Sequence, residues 1–289
     1  MKSMEIQKVA IIGAGLMGKQ IALNTAIHGY DAYLTDNIEA AVESARVWAE
    51  EYIQDRIKKG KMTEEDAQKA LARYHAVKTL EEAVAGADLI IEAIIEDQKI
   101  KEDLFCQIDR IAKPDAIITT NSSRMVSSAF KDMVSNPFRL ANLHYFNPAL
   151  VMKLTEIVQG PHTSEETVKA LIEFSKNTGK DPVWLKKEID GFLANRILRS
   201  VTNEALYLLE EGVANPEDID TAVEKGLNYP MGPFKLMDFT GVDTCYLVAK
   251  AMLDETGFRK PGIDLLKEKY DKKEWGRKTG KGWYDYTVR

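Results

Sequence analysis

Two residues in the stretch ANLHYFNPALVMKLTEIV, residues 141–158, have types suited to proton chemistry: His144, one of only four histidines in the chain, and Glu156, twelve positions on. Histidine, with an unperturbed pKa of about 6.5, is the side chain best poised to exchange a proton near neutrality. The imidazolium that forms in a partly dry site needs a counter-charge. A carboxylate on a neighbouring strand, bonded to the other ring nitrogen, would supply it and orient the ring. Strands at 139–146 and 153–158, joined by the short NPALVM connection, would be close enough. Each residue also has a bland alternative. A lone histidine on an apolar strand is more often a satisfied core residue, and Glu156 alternates imperfectly with Leu154 and Val158, as a solvated strand residue could.

A second constellation is Gly13-Ala14-Gly15-Leu16-Met17-Gly18, which fits GxGxxG. Alone this is a weak signal. Here it follows the strand IQKVAII at once, opens a helix, and precedes Asp36, eighteen positions after Gly18. That context describes a dinucleotide site. Gly13 permits the tight turn, Gly15 lets the backbone approach a pyrophosphate, and Gly18 allows close helix–strand packing. The helix start at Leu16 and Met17 offers N–H donors to the phosphates. Asp36 would accept hydrogen bonds from the adenosine ribose, and its charge would repel a 2′-phosphate, so the expected cofactor is NAD rather than NADP. The alternative is a glycine turn in a non-binding α/β protein.

The elements that must position these residues alternate along the chain. Strands are expected at 6–12, 32–35, 88–93, 116–119, 139–146, 153–158 and 182–185. Helices are expected at 16–28, 99–112 and 165–178, with a helical arm at about 38–73 that turns at Gly60 and restarts at Thr63 in the pattern TEED. Such alternation predicts an α/β fold: a Rossmann-type, doubly wound, mostly parallel sheet. Beyond about residue 188 the character changes. GFLANRILRSVTNEALYLLEEG reads as one long helix apolar on more than one face and stopped by Gly212, followed by helices at 216–226, 241–256 and 261–269. The expected organisation is therefore a nucleotide-binding domain over 1–188 and an all-α domain over 189–289. The apolar long helix needs cover from its own domain or from a second subunit.

Seven stretches, VAIIGAGLMG, IIEAIIEDQKIKEDLF, TNSS, LHYFNPALVMKLTEIV, GFLANRIL, GLNYPMGPFKLMD and GRKTGKGWYDY, lie in order over nearly the whole chain. Together they resemble the 3-hydroxyacyl-CoA dehydrogenases, most of all the short bacterial 3-hydroxybutyryl-CoA enzymes. The resemblance implies NAD-dependent, reversible oxidation of a (3S)-3-hydroxyacyl-CoA to the 3-oxoacyl-CoA. It assigns general acid–base work to His144 and its support to Glu156. It places Ser122, or Ser123 if the register slips, at the reacting oxygen or the thioester carbonyl, and Asn195 at the thioester carbonyl. It also implies cofactor contacts at Glu96, Lys101, Asn147 and Lys278, a coenzyme A contact at Lys59, no metal, and a homodimer formed through the helical C-terminal domain. Local alternatives are a helix cap for Ser122, a polar helix contact for Asn195 and a solvated helix face for Lys59.

Two positions depart from the family pattern. Lys19-Gln20 replace a small residue and a further glycine, which bears on the packing of the first helix. Arg124 replaces a commoner apolar residue and could meet a coenzyme A phosphate or a substrate carboxylate. Rival activities are a dehydrogenase of a free hydroxy acid or carnitine, and a non-catalytic dinucleotide-binding protein. A lysine-based mechanism would need a base on the long helix, yet residues 190–211 contain no lysine.

Composition narrows the remaining classes. The chain has 289 residues, is 45% hydrophobic and carries a net charge of −6, which argues against a general nucleic-acid surface. No apolar run approaches the roughly 18 residues of a membrane span. The opening MKSMEIQKVAIIGAG enters a strand without the apolar core and cleavage site of a signal peptide. Cys106 and Cys245 are far apart and outside any CxxC spacing, as suits reduced, buried thiols. A cytoplasmic protein without nucleic-acid or membrane partners is expected.

Overall fold

The computed structural model describes residues 5–287. The chain divides into two compact units, the first ending at Leu193 and the second beginning at Ala194.

The first unit is built on eight strands, β1 (Lys8–Ile12), β2 (Asp31–Thr35), β3 (Tyr74–Ala76), β4 (Leu89–Glu92), β5 (Ile117–Thr120), β6 (Leu140–Tyr145), β7 (Leu154–Val158) and β8 (Asp181–Leu185). They form one sheet in the order β3-β2-β1-β4-β5-β6-β7-β8. Every neighbouring pair is parallel except β6 and β7. Six helices connect them: α1 (Leu16–Ile27), α2 (Glu39–Lys58), α3 (Glu64–Ala72), α4 (Leu80–Val84), α5 (Gln98–Ile111) and α6 (Glu165–Asn177). The expected doubly wound, mostly parallel architecture is what forms.

Strand alternation explains why both faces are covered. Val9, Ile11, Leu89 and Ile91 join one apolar cluster with Leu23 and Phe174. Ala10, Ile12 and Ile90 join a second with Phe105 and Phe130. Successive side chains point to opposite faces, so a strand apolar at every position must be sandwiched. Two elements escaped the sequence reading. β3 is three residues long and edges the sheet, too short to show a period. The short α4 carries a reciprocal cap: Thr79 Oγ1 accepts from the Glu82 amide at 3.1 Å, and the Glu82 carboxylate accepts from the Thr79 amide at 3.3 Å. That TxxE signal was present in the sequence.

The second unit is helical: α7 (Ala194–Glu210), α8 (Pro216–Thr221), α9 (Pro233–Thr240), α10 (Val242–Thr256) and α11 (Ile263–Asp271). Its core gathers Leu206, Ile219, Phe234, Val242 and Leu266. The long helix starts at Ala194, not at 191, because Gly191 (φ 73°) and Phe192 (φ 51°) adopt the left-handed region, which a right-handed helix does not admit. The unforeseen α9 has proline near its start. Its first amides are held from a distance by the buried Asp220, which accepts from Phe234 N and Lys235 N at 2.8 and 3.0 Å.

Candidate active site

The glycine loop leaves the carboxyl end of β1 and runs directly into α1, and each glycine has its own reason. A Cβ on Gly18 would stand 1.7 Å from the Gly13 carbonyl oxygen, and one on Gly13 (φ 111°) 2.5 Å from the Ala93 carbonyl oxygen. Both positions are closed to any side chain. A Cβ on Gly15 would meet no atom within 4 Å. Among the described residues nothing demands glycine there, and the open space it leaves beside the first turn of α1 is what a pyrophosphate requires. That helix has neither a side-chain cap nor an acidic residue in its first turn, so no side chain of its own occupies its first amides. Leu16 is exposed and Met17 half-buried beside this opening. Asp36, just past β2, accepts from Ala14 N at 2.7 Å and Ile38 N at 2.9 Å. A carboxylate offers roughly four lone-pair sites, so the two amides fix its position and leave capacity for ribose hydroxyls. These residues fit NAD.

The His144–Glu156 pair is a product of the sole antiparallel step in the sheet. The β6–β7 register sets His144 directly opposite Glu156, and His144 Nδ1 lies 2.8 Å from Glu156 Oε2. The other carboxylate oxygen accepts from Leu193 N at 3.0 Å. Glu156 is fully buried and His144 only 5% exposed. The imidazole lies against Phe146 and Phe192, with centroids 4.6 and 5.4 Å away. Low dielectric strengthens such a pair and makes either partner costly without the other. With Nδ1 directed at the carboxylate, Nε2 is the ring nitrogen available to a substrate.

Ser122 lies just past β5, on a loop tied to β6 by Asn121, whose Oδ1 accepts from Tyr145 N at 2.8 Å. Its hydroxyl donates to Glu96, and its oxygen accepts from Met125 N at 2.7 Å and Arg124 N at 3.2 Å. These bonds close a local turn and cap no helix, since the next helical turn begins at Ser127 with Val126 at its cap, and the hydroxyl's single proton is committed to Glu96. Burial alone would raise the Glu96 carboxyl. The hydrogen bond from Ser122, then the hydrogen bond and charge of Lys101, outweigh it and hold the group below the usual carboxylate range. Lys101, on α5, is 1% exposed; its Nζ lies 2.6 Å from Glu92 Oε1 and 3.0 Å from Glu96 Oε2.

Three groups therefore lie at the carboxyl ends of β1, β2, β4, β5 and β6, where doubly wound sheets bind ligands. They are the glycine loop with Asp36, the His144–Glu156 pair, and Ser122 with Glu96 and Lys101. Asn147, exposed after β6, has its Oδ1 3.5 Å from Gln20 Nε2, which also donates to Leu16 O at 3.0 Å. The buried Gln20 thus occupies the space a glycine would leave and reaches from α1 to the turn after His144. Lys59 sits at the exposed end of α2 in an ion pair with Asp55 at 2.7 Å. In the second unit, Asn195 is the second residue of α7, and Lys278 pairs with Asp243 at 2.6 Å.

Sequence reasoning passed over Glu92, Thr120 and Phe192. Glu92 had a signal: it is the one charge in LIIE, a strand buried at every position, and a charge is retained in such a place only with partners. Among the described residues no cluster of three or more His, Cys, Asp or Glu side chains could hold a metal, and no helix is long and apolar enough to cross a membrane.

Comparison with known proteins agrees with this layout. Residues 8–189 match the NAD binding domain of 3-hydroxyacyl-CoA dehydrogenase, and residues 191–286 match its C-terminal domain. The "Probable 3-hydroxybutyryl-CoA dehydrogenase" of Bacillus subtilis is 38% identical, covering 98% of each chain. The human mitochondrial hydroxyacyl-coenzyme A dehydrogenase is 36% identical, over 99% of this chain and 93% of its own. The crystal structure of (S)-3-hydroxybutyryl-CoA dehydrogenase from Ralstonia eutropha superposes with a TM-score of 0.88 at 36% identity, covering 98% of this chain and all of that one. With two family profiles spanning nearly the whole sequence and relatives this similar over their full length, the chain belongs to the 3-hydroxyacyl-CoA dehydrogenase family and is an NAD-dependent oxidoreductase.

Proposed function

We propose that the protein interconverts a (3S)-3-hydroxyacyl-CoA, of the 3-hydroxybutyryl class, and its 3-oxoacyl-CoA, with His144 as the general acid–base. The observation that carries this reading is the buried His144–Glu156 pair at 2.8 Å, placed at the same edge of the sheet as the dinucleotide loop. NAD, held by the glycine loop and Asp36, supplies a hydride acceptor. As the alcohol is oxidised, Nε2 of His144 takes the hydroxyl proton. Glu156 keeps Nδ1 protonated, so that Nε2 is the acceptor, and stabilises the resulting imidazolium. In the reverse direction the imidazolium returns the proton. Ser122 can donate to the substrate oxygen only by releasing Glu96, since a hydroxyl has one proton. The roles of Asn195, Lys278 and Lys59 rest on the sequence resemblance alone. A homodimer through the second unit is supported by the exposed Leu198, Phe239, Leu247 and Val248.

The test is to follow NADH absorbance with acetoacetyl-CoA and then with free acetoacetate. Turnover of the thioester is expected, and turnover of the free acid alone would refute the reading in favour of a free hydroxy-acid dehydrogenase.

A further inference from the structure

The segment that leaves β8 is fastened by one side chain. The half-buried Glu188 carboxylate accepts from the Ser127 hydroxyl at 3.0 Å, the Ser128 amide at 2.9 Å and the Ser128 hydroxyl. These serines open the helical turn Ser127–Met133, which follows β5 and is itself tied to β6. The buried Asn142 on β6 accepts from Ser127 N at 2.8 Å and donates to Met125 O at 2.9 Å. The His162 ring approaches Glu188 from another side: a Cβ on Gly160 would fall 2.4 Å from His162 Cε1 and 3.0 Å from Glu188 Oε1. Further along the segment, Phe192 is fully buried with Val158 and Leu185, and Val126 packs on that cluster. The Phe192 ring meets His144 edge to face at 5.4 Å, and Leu193 N donates to Glu156 at 3.0 Å. A circuit thus leaves β6 at Asn142, passes through Ser127, Glu188 and Phe192, and returns to the His144–Glu156 pair.

We propose that Glu188 is a positioning residue for the reaction: by clasping the segment after β8 to Ser127 and Ser128, it holds the Phe192 ring on His144 and the Leu193 amide on Glu156. The proposal rests on the acid–base role given to His144 above. Three features favour positioning over plain packing. Apolar contact alone can fasten a loop, whereas a partly desolvated carboxylate is costly unless donors converge on it, as they do on Glu188. Gly191 and Phe192 hold φ of 73° and 51°, and a bulky residue stays in the left-handed region only where its surroundings over-determine it. The Glu188 clasp on one side and the Leu193 bond on the other do so. Lastly, both ends of the segment's reach bear on the proton-carrying pair. Leu193 N fixes the carboxylate oxygen that His144 does not use, which orients the other oxygen toward Nδ1, and Phe192 keeps water from the ring.

The test combines Glu188→Gln, Ser128→Ala and Ser128→Thr, with Glu188→Gln made also in a Glu156→Gln background. For each, kcat is expressed per NADH-binding site, so that unfolded protein does not count, and the KM for the thioester and the NADH dissociation constant are measured. Glu188→Gln keeps the volume but turns an N–H₂ toward donors, which opens the clasp. It should lower kcat about tenfold while the thioester KM and the NADH constant change less than about threefold. Ser128→Ala should lower kcat by about three- to tenfold, and Ser128→Thr, which keeps the hydroxyl, should stay within about twofold of the parent. In the Glu156→Gln background Glu188→Gln should cost less than about threefold more, since the carboxylate being oriented is gone. An unchanged kcat in Glu188→Gln, or the same fold loss in both backgrounds, would overturn the proposal while leaving the proposed function standing. If Glu188→Gln does not fold, the serine pair decides, and equal kcat in Ser128→Ala and Ser128→Thr would overturn the proposal. A parent enzyme inactive on the thioester would overturn the proposed function itself and the inference with it.

Discussion

Glu156→Gln isolates what the carboxylate contributes, because it removes one charge and almost no volume. The native carboxylate satisfies two donors at once, His144 Nδ1–H at 2.8 Å and Leu193 N–H at 3.0 Å. A glutamine amide has one acceptor and one donor end. If its oxygen keeps Leu193, its N–H₂ faces Nδ1 and forces the tautomer with the proton on Nε2, which cannot then take one from the alcohol. If it flips, two donors collide at Leu193. The lost charge adds to this. Charge centres about 4 Å apart at an effective dielectric near 20 interact by about 4 kcal/mol, and each ~1.4 kcal/mol is tenfold in rate. The ceiling is therefore about 10³-fold on the step that forms imidazolium. Steady-state oxidation of 3-hydroxybutyryl-CoA should show kcat lower by about 10²–10³-fold. NADH binding, followed by its fluorescence, should change less than about twofold. A loss of kcat below about tenfold in a variant with the parent melting temperature would refute the reasoning that Glu156 orients and stabilises the ring.

Gly18→Ala would drive a methyl into the Gly13 carbonyl oxygen, 1.7 Å away. It should weaken NADH binding more than about tenfold in a fluorescence titration, and wild-type affinity would contradict the packing described. Asp36→Ala should weaken NAD binding and narrow the preference for NAD over NADP, as competitive titrations of the two would show; an unchanged preference removes Asp36 from that role. Asp88 supplies a pH-dependent element of stability. Burial alone would raise its carboxyl, but hydrogen bonds from Lys113 and from the Lys8 and Gln7 amides hold it below the usual range. A lowered folded pKa stabilises above the unfolded value of about 3.9 and loses that contribution as pH falls through the folded one. The melting-temperature gap between the parent and Asp88→Asn should hold from pH 7 to pH 5 and shrink below about pH 4. A constant gap would disprove the assignment.

The parts legible in the sequence are those carried by short-range pattern. The strand–turn–helix context of GAGLMG and the spacing to Asp36 specify a nucleotide loop because the backbone geometry there is local and only glycine satisfies it. The alternation of IQKVAII, DLIIEA and the intervening helices prescribes a two-faced sheet for the same reason. Where the pattern was brief, as in the three-residue β3, or where chain reversal depended on two left-handed residues, as at Gly191 and Phe192, local reading lost the element or its boundary. What tertiary structure alone decided is which side chains meet. A one-residue slip between β6 and β7 would turn Glu156 to the opposite face from His144; the antiparallel register, set by packing on both faces, brings them together. The Glu92–Lys101 ion pair shows the same limit. Nine positions apart in sequence, on a strand and a helix, they come within 2.6 Å because the fold removes both from water, where neither could stay without the other.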